Sequence, residues 1–173
     1  MAEMSLEQRQ YLTAKFKEFI AAVHSSHESN LPVRTPYQWQ IRLMLYVAEH
    51  GYWPRSIGAP TASGKTSVID IHVFLNAMAG LSLVEGNGLF DLPLRNIPRR
   101  LALTVNRRSL VDDQFDEACA LQDKMQIEHV ANDGLDVYRD GLKLRAAIND
   151  GTKSDSAIPR MIAVELRGSI SPD

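Results

Sequence analysis

A run of small residues ending in Gly-Lys-Thr has the composition and spacing of a phosphate-binding loop. A loop of this kind before a helix directs several backbone N–H groups, and the helix dipole behind them, at one anion. Lys65 would neutralise the β and γ phosphates and Thr66 would hold Mg²⁺, so these two residues are the predicted catalytic pair and ATP with Mg²⁺ the predicted cofactor. The residues predicted to contact the nucleotide here are Ala59, Pro60, Thr61, Ala62, Ser63, Gly64, Lys65 and Thr66.

Two glutamines precede this loop at the start of a predicted helix. A glutamine amide can accept a hydrogen bond from the exocyclic amine of adenine while it donates one to a ring nitrogen, and a neighbouring aromatic residue can stack on the base. We predict that Gln40 or Gln38 recognises adenine. The alternative is an ordinary exposed pair of glutamines at a helix start.

A basic segment follows the apolar run of residues 101–105. Asn106, Arg107 and Arg108 open a helical pattern there. Arginines and backbone N–H groups at a helix N-terminus suit the phosphates of a nucleic-acid backbone. We predict that this segment contacts a nucleic-acid strand; the alternative is that the arginines are solvated loop charges.

Three other groups of ionisable residues do not fit a catalytic or metal-binding pattern. The Asp-Glu pair at residues 116–117 follows exposed helical residues, whereas the acidic motif of a helicase must end a buried strand. Glu165 ends an apolar run, but no aspartate precedes it. His24, His27 and Glu28 have no further ligand at metal-binding spacing, so we expect a solvated helix end there.

The elements that would position these residues alternate between helices and strands, which predicts an α/β fold with a parallel central sheet. We assign residues 1–30 to an N-terminal helical extension and residues 31–173 to the α/β domain. Helices are predicted over residues 5–24, 36–50, 67–79, 108–122 and 135–148, the last one broken at Gly141. Ser5 and Gln8 have the spacing of a capping box at the start of the first helix, and Gly51 is the predicted C-cap of the second. Strands are predicted over residues 55–57, 101–105 and 161–166.

Bulk properties set the class of protein. The 173 residues, 45% of them hydrophobic and 23% charged, are typical of one globular domain. The single cysteine, Cys119, excludes an intramolecular disulfide, and no leader or membrane segment is visible, so we expect a cytoplasmic protein without membrane partners. A net charge of −2 neither favours nor excludes nucleic acid, because a local basic groove would suffice.

The motifs together resemble the first RecA-like lobe of superfamily 2 helicases. Residues 36–40 resemble the glutamine motif of these enzymes, residues 59–66 resemble motif I, and residues 98–112 resemble motif Ia. Ala59 matches the helicase form of motif I, A-x-T-x-x-G-K-T, while Ala62 stands where such loops often have glycine. More narrowly, the chain is similar to the helicase–nuclease of type I CRISPR systems. The resemblance implies a three-layer RecA-like P-loop lobe, ATP hydrolysis, antiviral defence, and single-stranded DNA and a CRISPR surveillance complex as partners.

Several parts of such a helicase are not visible in the sequence. The acidic motif II, the second RecA lobe and its arginine finger, and a nuclease domain are missing, so we expect a fragment truncated before motif II or a shortened product. Because phosphoryl transfer depends on these groups, we expect the isolated chain to bind ATP weakly at most and not to hydrolyse it. The alternatives are a restriction-system motor subunit, a non-catalytic nucleotide-binding module if the chain natively ends here, and a small-molecule kinase, which Ala59 disfavours.

Overall fold

A computed structural model describes residues 4–25, 33–58, 64–82, 94–104, 108–127, 133–147 and 161–164 of the chain. Over these residues the chain forms five α-helices and two short 3-10 turns, at Lys65–Ser67 and Leu94–Asn96. We number the helices α1 (Leu6–Val23), α2 (Gln38–His50), α3 (Val68–Leu81), α4 (Arg108–Gln126) and α5 (Asp136–Ala147). None of the described helices is long and apolar enough to cross a membrane.

The ends of α1 and α2 follow local capping rules. Ser5 Oγ accepts a hydrogen bond from the Gln8 N–H, and Gln8 Oε1 accepts one from the Ser5 N–H, which is the predicted capping box. Gly51 ends α2 in the left-handed conformation, with φ of 74°, also as predicted. The start of α2 differs, because Tyr37 is its N-cap and Pro36 lies outside the helix.

The predicted parallel sheet is wrong for this part of the chain. Residues 55–57, 101–104 and 161–164 are not strands, and no sheet connects them among the described residues. A strand exists only when a neighbouring backbone completes its ladder, and local β-propensity cannot supply that neighbour. The 161–164 segment instead bonds to side chains of α4: Gln126 Nε2 donates to the Met161 carbonyl, and Gln122 Oε1 accepts from the Ala163 N–H. The three-layer RecA-like fold is therefore not observed in the part of the chain that the structure describes.

The centre of the structure is α3, whose sequence is apolar on nearly all sides. Its C-terminal half packs closely against α5, where two glycines face each other. A Cβ on Gly80 would lie 1.7 Å from the carbonyl oxygen of Gly141, and a Cβ on Gly141 would lie 2.2 Å from that of Ala77. Gly141 thus lies within a continuous α5 and permits the close approach; the predicted helix break at this residue is wrong.

An aromatic cluster connects α1 to the α3–α5 pair. The ring centroid of Phe74 in α3 lies 5.1 Å from that of Phe16 and 5.6 Å from that of Phe19. The Phe19 ring contacts Tyr138 of α5 edge-on, with 5.0 Å between the centroids. The Tyr138 hydroxyl donates to the Lys15 carbonyl at 2.9 Å. Helix α1 therefore contributes to the same hydrophobic core as α3 and α5. The predicted boundary after residue 30 falls outside the described residues and stays a prediction.

A buried arginine attaches α5 to α4. Arg139 is almost fully buried; its Nε donates to the Lys124 carbonyl at 2.9 Å, and its other nitrogens bond Asp133 and Asp136. Burial acts to lower the pKa of Arg139, but the hydrogen bonds to the two carboxylates outweigh it, so the pKa is raised. Four hydrogen bonds thus compensate the burial of this charged guanidinium.

Candidate nucleotide site

The end of the predicted phosphate loop lies where the sequence indicated, at the N-terminus of α3. Gly64 is left-handed, with φ of 70°, and Lys65–Ser67 form a single 3-10 turn in which the Ser67 N–H donates to the Gly64 carbonyl at 3.1 Å. Thr66 is half-buried. Residues 59–63 and the side chain of Lys65 lie outside the described part of the structure. Helix α3 therefore begins just after the predicted loop, and its first backbone N–H groups are the ones expected to face an anion.

Gln40 joins this turn to α2. Its side chain is buried; Oε1 accepts from the Tyr37 N–H at 2.7 Å, and Nε2 donates to the Gly64 carbonyl at 3.2 Å. The first bond is one half of a capping box, and the second spans 24 residues. The amide therefore holds the last glycine of the loop against the first turn of α2.

Tyr37 and Gln38 are the exposed members of the glutamine segment. The Tyr37 ring is 54% exposed, and its Cε2 would lie 3.6 Å from a Cβ on Gly64. Gln38 is exposed on the first turn of α2. The Tyr37 ring thus lies beside the turn, Gln38 is exposed next to Tyr37 in the sequence, and the Gln40 amide is engaged with the backbone.

The segment that leads to the predicted nucleic-acid contact is anchored on α3 and α5 through three consecutive carbonyls. The Ile97 carbonyl accepts from Arg145 at 3.0 Å, that of Pro98 from Asn76 at 3.1 Å, and that of Arg99 from His72 Nε2 at 3.3 Å. The last bond requires the proton on Nε2. Burial lowers the pKa of His72, and the bond to the carbonyl only partly offsets this effect.

Basic residues lie in and next to the anchored segment of residues 97–99. Arg99 and Arg100 are exposed, and Arg108 begins α4. Burial lowers the pKa of Arg145, and repulsion from Arg99 lowers it further. Asn106, Arg107 and the side chain of Arg108 lie outside the described part of the structure. The predicted contact residues thus follow a described segment that carries two exposed arginines, Arg99 and Arg100, before the uncharged residues 101–104.

A group of ionisable residues that the sequence did not reveal lies one turn after Thr66. His24 Nε2 is 3.0 Å from Asp70 Oδ2, and Glu117 of α4 completes a set whose ligand atoms all lie within 4.8 Å of one another. Only 17% of the His24 side chain is exposed, so the expected solvated helix end is wrong for this residue. The indication in the sequence was Asp70 within the apolar start of α3, because a carboxylate that is buried there needs a tertiary partner.

The acidic pair at residues 116–117 lies inside α4, in agreement with the interpretation that it does not end a strand. Glu165, His27 and Glu28 lie outside the described residues. Comparisons with protein-family models, with curated proteins and with solved structures found no match to this chain. What the site does therefore has to be inferred from its residues and their geometry.

Proposed function

We propose that the chain binds ATP with Mg²⁺ at the N-terminal end of α3, through the loop of residues 59–66. The hydrogen bond from Gln40 Nε2 to the Gly64 carbonyl supports this most directly. This bond joins the glutamine pattern of residues 36–40 to the phosphate-loop pattern of residues 59–66, although Gln40 and Gly64 are 24 positions apart. Each of the two patterns predicts contact with a nucleotide. A common ligand explains why both patterns occur at one place in the structure.

The N-terminal end of α3 has the properties that a phosphate group requires. Backbone N–H groups of a first helical turn have no partner within the helix, and the macrodipole places partial positive charge there. In the proposed complex Lys65 neutralises the β and γ phosphates, and the Thr66 hydroxyl contributes to Mg²⁺ binding. Gly64 allows the chain to turn tightly at this point because its φ is positive.

The two glutamines then have different roles in our proposal. Gln40 positions the loop, since both polar atoms of its buried amide bond to the backbone. Each atom retains one further hydrogen-bonding position, because an amide has two N–H groups and two lone pairs. Gln38 is exposed beside Tyr37, so we propose that it reads the edge of adenine while the tyrosine ring stacks on the base.

By resemblance, we extend the proposal to an ATP-dependent DNA helicase, with the CRISPR helicase–nuclease as the proposed family and a surveillance complex as the proposed partner. Single-stranded DNA would contact Asn106, Arg107 and Arg108. The exposed Arg99 and Arg100 support a polyanionic partner, because they extend the positive charge along the same segment.

A nuclear magnetic resonance titration tests nucleotide binding at the residues concerned. Adding MgATP to the ¹⁵N-labelled chain should shift the amide signals of residues 64–67, with a Kd on the order of 0.1–1 mM. Lys65→Ala should weaken binding by about 10- to 150-fold, because a charge-assisted hydrogen bond to phosphate contributes roughly 1.5–3 kcal/mol. Lys17→Ala removes an exposed charge on α1 and is the matched control. Unchanged amide signals at residues 64–67 would contradict the proposal, and phosphate release would contradict the expected lack of hydrolysis.

Fluorescence anisotropy with labelled single-stranded DNA tests the nucleic-acid part. Replacing Arg107 and Arg108 with alanine should weaken binding and reduce the slope of log K against log salt by about 0.7 for each phosphate contact removed. The Lys17→Ala variant again serves as the control. Equal affinities and equal salt slopes for the variant and the original chain would exclude these arginines as strand contacts.

A further inference from the structure

We propose that His24, Asp70 and Glu117 form a binding site for a divalent transition-metal ion, with Zn²⁺ the best match. One ligand atom from each residue lies within 4.8 Å of the other two. The residues come from three elements: His24 ends α1, Asp70 lies in the first turn of α3, and Glu117 lies in α4. None of the three ligands belongs to the proposed phosphate-binding residues 59–66.

The two carboxylates are the first argument for a cation. Asp70 is only 2% exposed, and its side-chain partner is the His24 ring at 3.0 Å. Glu117 is half-buried and forms no hydrogen bond or ion pair with any residue that the structure describes. A buried carboxylate close to a second carboxylate is costly in free energy unless a positive charge compensates it. A metal ion between them would supply that charge.

The donor atoms select the kind of ion. One imidazole nitrogen with two carboxylate oxygens suits Zn²⁺, whereas Mg²⁺ prefers oxygen ligands alone. In a tetrahedral zinc site with bonds of 2.0–2.1 Å, ligand atoms stand about 3.3 Å apart. The His24–Asp70 distance of 3.0 Å already approaches this value. A change in the side-chain torsions of Glu117 would bring in the third ligand and leave a position for water.

Arg34 favours a tautomer of His24 that competes with metal binding. Its Nη1 lies 3.1 Å from His24 Nδ1, and a guanidinium can only donate. Nδ1 is therefore the acceptor, and the ring proton lies on Nε2, the atom that faces Asp70. Metal binding through Nε2 requires the opposite tautomer, so the exposed Arg34 must leave the ring. Arg34 should consequently weaken metal binding, both through this tautomer and through its charge.

Calorimetric titration of the full chain with ZnCl₂, after removal of metals and without nucleotide, tests the proposal. We expect one Zn²⁺ per chain and much weaker binding of Mg²⁺. Glu117→Gln and His24→Gln should each weaken Zn²⁺ binding by about tenfold or more. Arg34→Ala should tighten it by about threefold, an effect that a merely structural role of Arg34 would not produce. Substitution with Co²⁺ should give the visible absorption of a nitrogen- and oxygen-ligated ion.

Matched controls make the outcomes decisive. Asp116→Asn alters the exposed neighbour of Glu117 on α4 and should leave the affinity unchanged, as should Cys119→Ser. Circular dichroism identifies any variant that fails to fold; Glu117→Gln, at a half-buried position, is the variant expected to keep the fold. Absence of stoichiometric Zn²⁺ uptake, or uptake unaffected by Glu117→Gln, would overturn the proposal. Because no nucleotide is present, this result is independent of whether ATP binds at residues 59–66.

Discussion

The two ends of α3 are held in opposite ways. Near its C-terminus, Gly80 meets Gly141 of α5 so closely that no side-chain atom fits between the helices. Near its N-terminus, polar bonds connect α3 and the turn before it to other elements, among them Gln40 to Gly64 and His24 to Asp70. The close Gly80–Gly141 contact leaves no space for a ligand. The hydrogen bonds at the N-terminal end can be replaced by bonds to a ligand. We therefore expect stability to depend mainly on the C-terminal end of α3 and the proposed binding to depend on its N-terminal end.

The largest expected effect is at the close end. Gly80→Ala should destabilise the fold by more than about 3 kcal/mol, the upper end of the usual range for overpacking, because the new Cβ would meet the Gly141 backbone at 1.7 Å. Thermal and urea unfolding measure the loss. Gly58→Ala is the matched control, since nothing lies within 4 Å of its Cβ position. Equal stability of the two variants would show that the α3–α5 crossing is not close-packed.

Arg139→Met should cost about 3 kcal/mol. The change removes a buried guanidinium, so the hydrogen bonds that Arg139 donates to Asp133 and to the Lys124 carbonyl are lost. Asp136→Asn, at a side chain that is 42% exposed, should cost less than 1 kcal/mol. Urea midpoints of the two variants measure this difference. Similar losses would mean that the exposed pair, and not the buried donor, carries the stabilisation.

At the polar end, Gln40→Ala should destabilise the fold by about 1–2 kcal/mol, because it removes a buried amide with two hydrogen bonds. Gln40→Glu keeps the acceptor for the Tyr37 N–H, but when ionised it cannot donate to Gly64 and adds a buried negative charge that faces this carbonyl. Gln38→Ala should change stability by less than about 0.5 kcal/mol and should weaken ATP binding. A loss of stability in Gln38→Ala equal to that in Gln40→Ala would contradict the different roles of the two residues.

The smallest expected effect is a pH dependence from His72. Its pKa in the folded state is lowered by burial from the ordinary 6.5, so the unfolded chain binds the proton first as the pH falls. The contribution of His72 to stability is therefore complete above pH 6.5 and decreases as the pH falls from there through the lowered folded-state pKa. His72→Gln retains a donor for the Arg99 carbonyl and should reduce the loss of thermal stability between pH 7 and pH 5. An unchanged pH profile would rule out this cause.

Helical features followed from the sequence more reliably than strands did. The Ser5 capping box and the Gly51 C-cap were correct, because each depends on residues within one turn. The predicted strands failed because residues 101–104 and 161–164 have β-branched and apolar side chains but no neighbouring strand among the described residues. For the candidate site, the sequence placed the turn of Lys65–Ser67 at the start of α3 but could not show that Gln40 bonds to Gly64.

By itself, the sequence determined where the five helices lie, to within a few residues at their ends, and that a phosphate-binding pattern precedes α3. These properties are local, since capping, periodicity and turn chemistry act over a few residues. Only the tertiary structure decided that Gly141 is a contact and not a break, that Gln40 is an internal tie, and that His24 meets Asp70 across 46 positions. Such contacts depend on how the helices pack, because side chains distant in sequence acquire their partners only when the core forms.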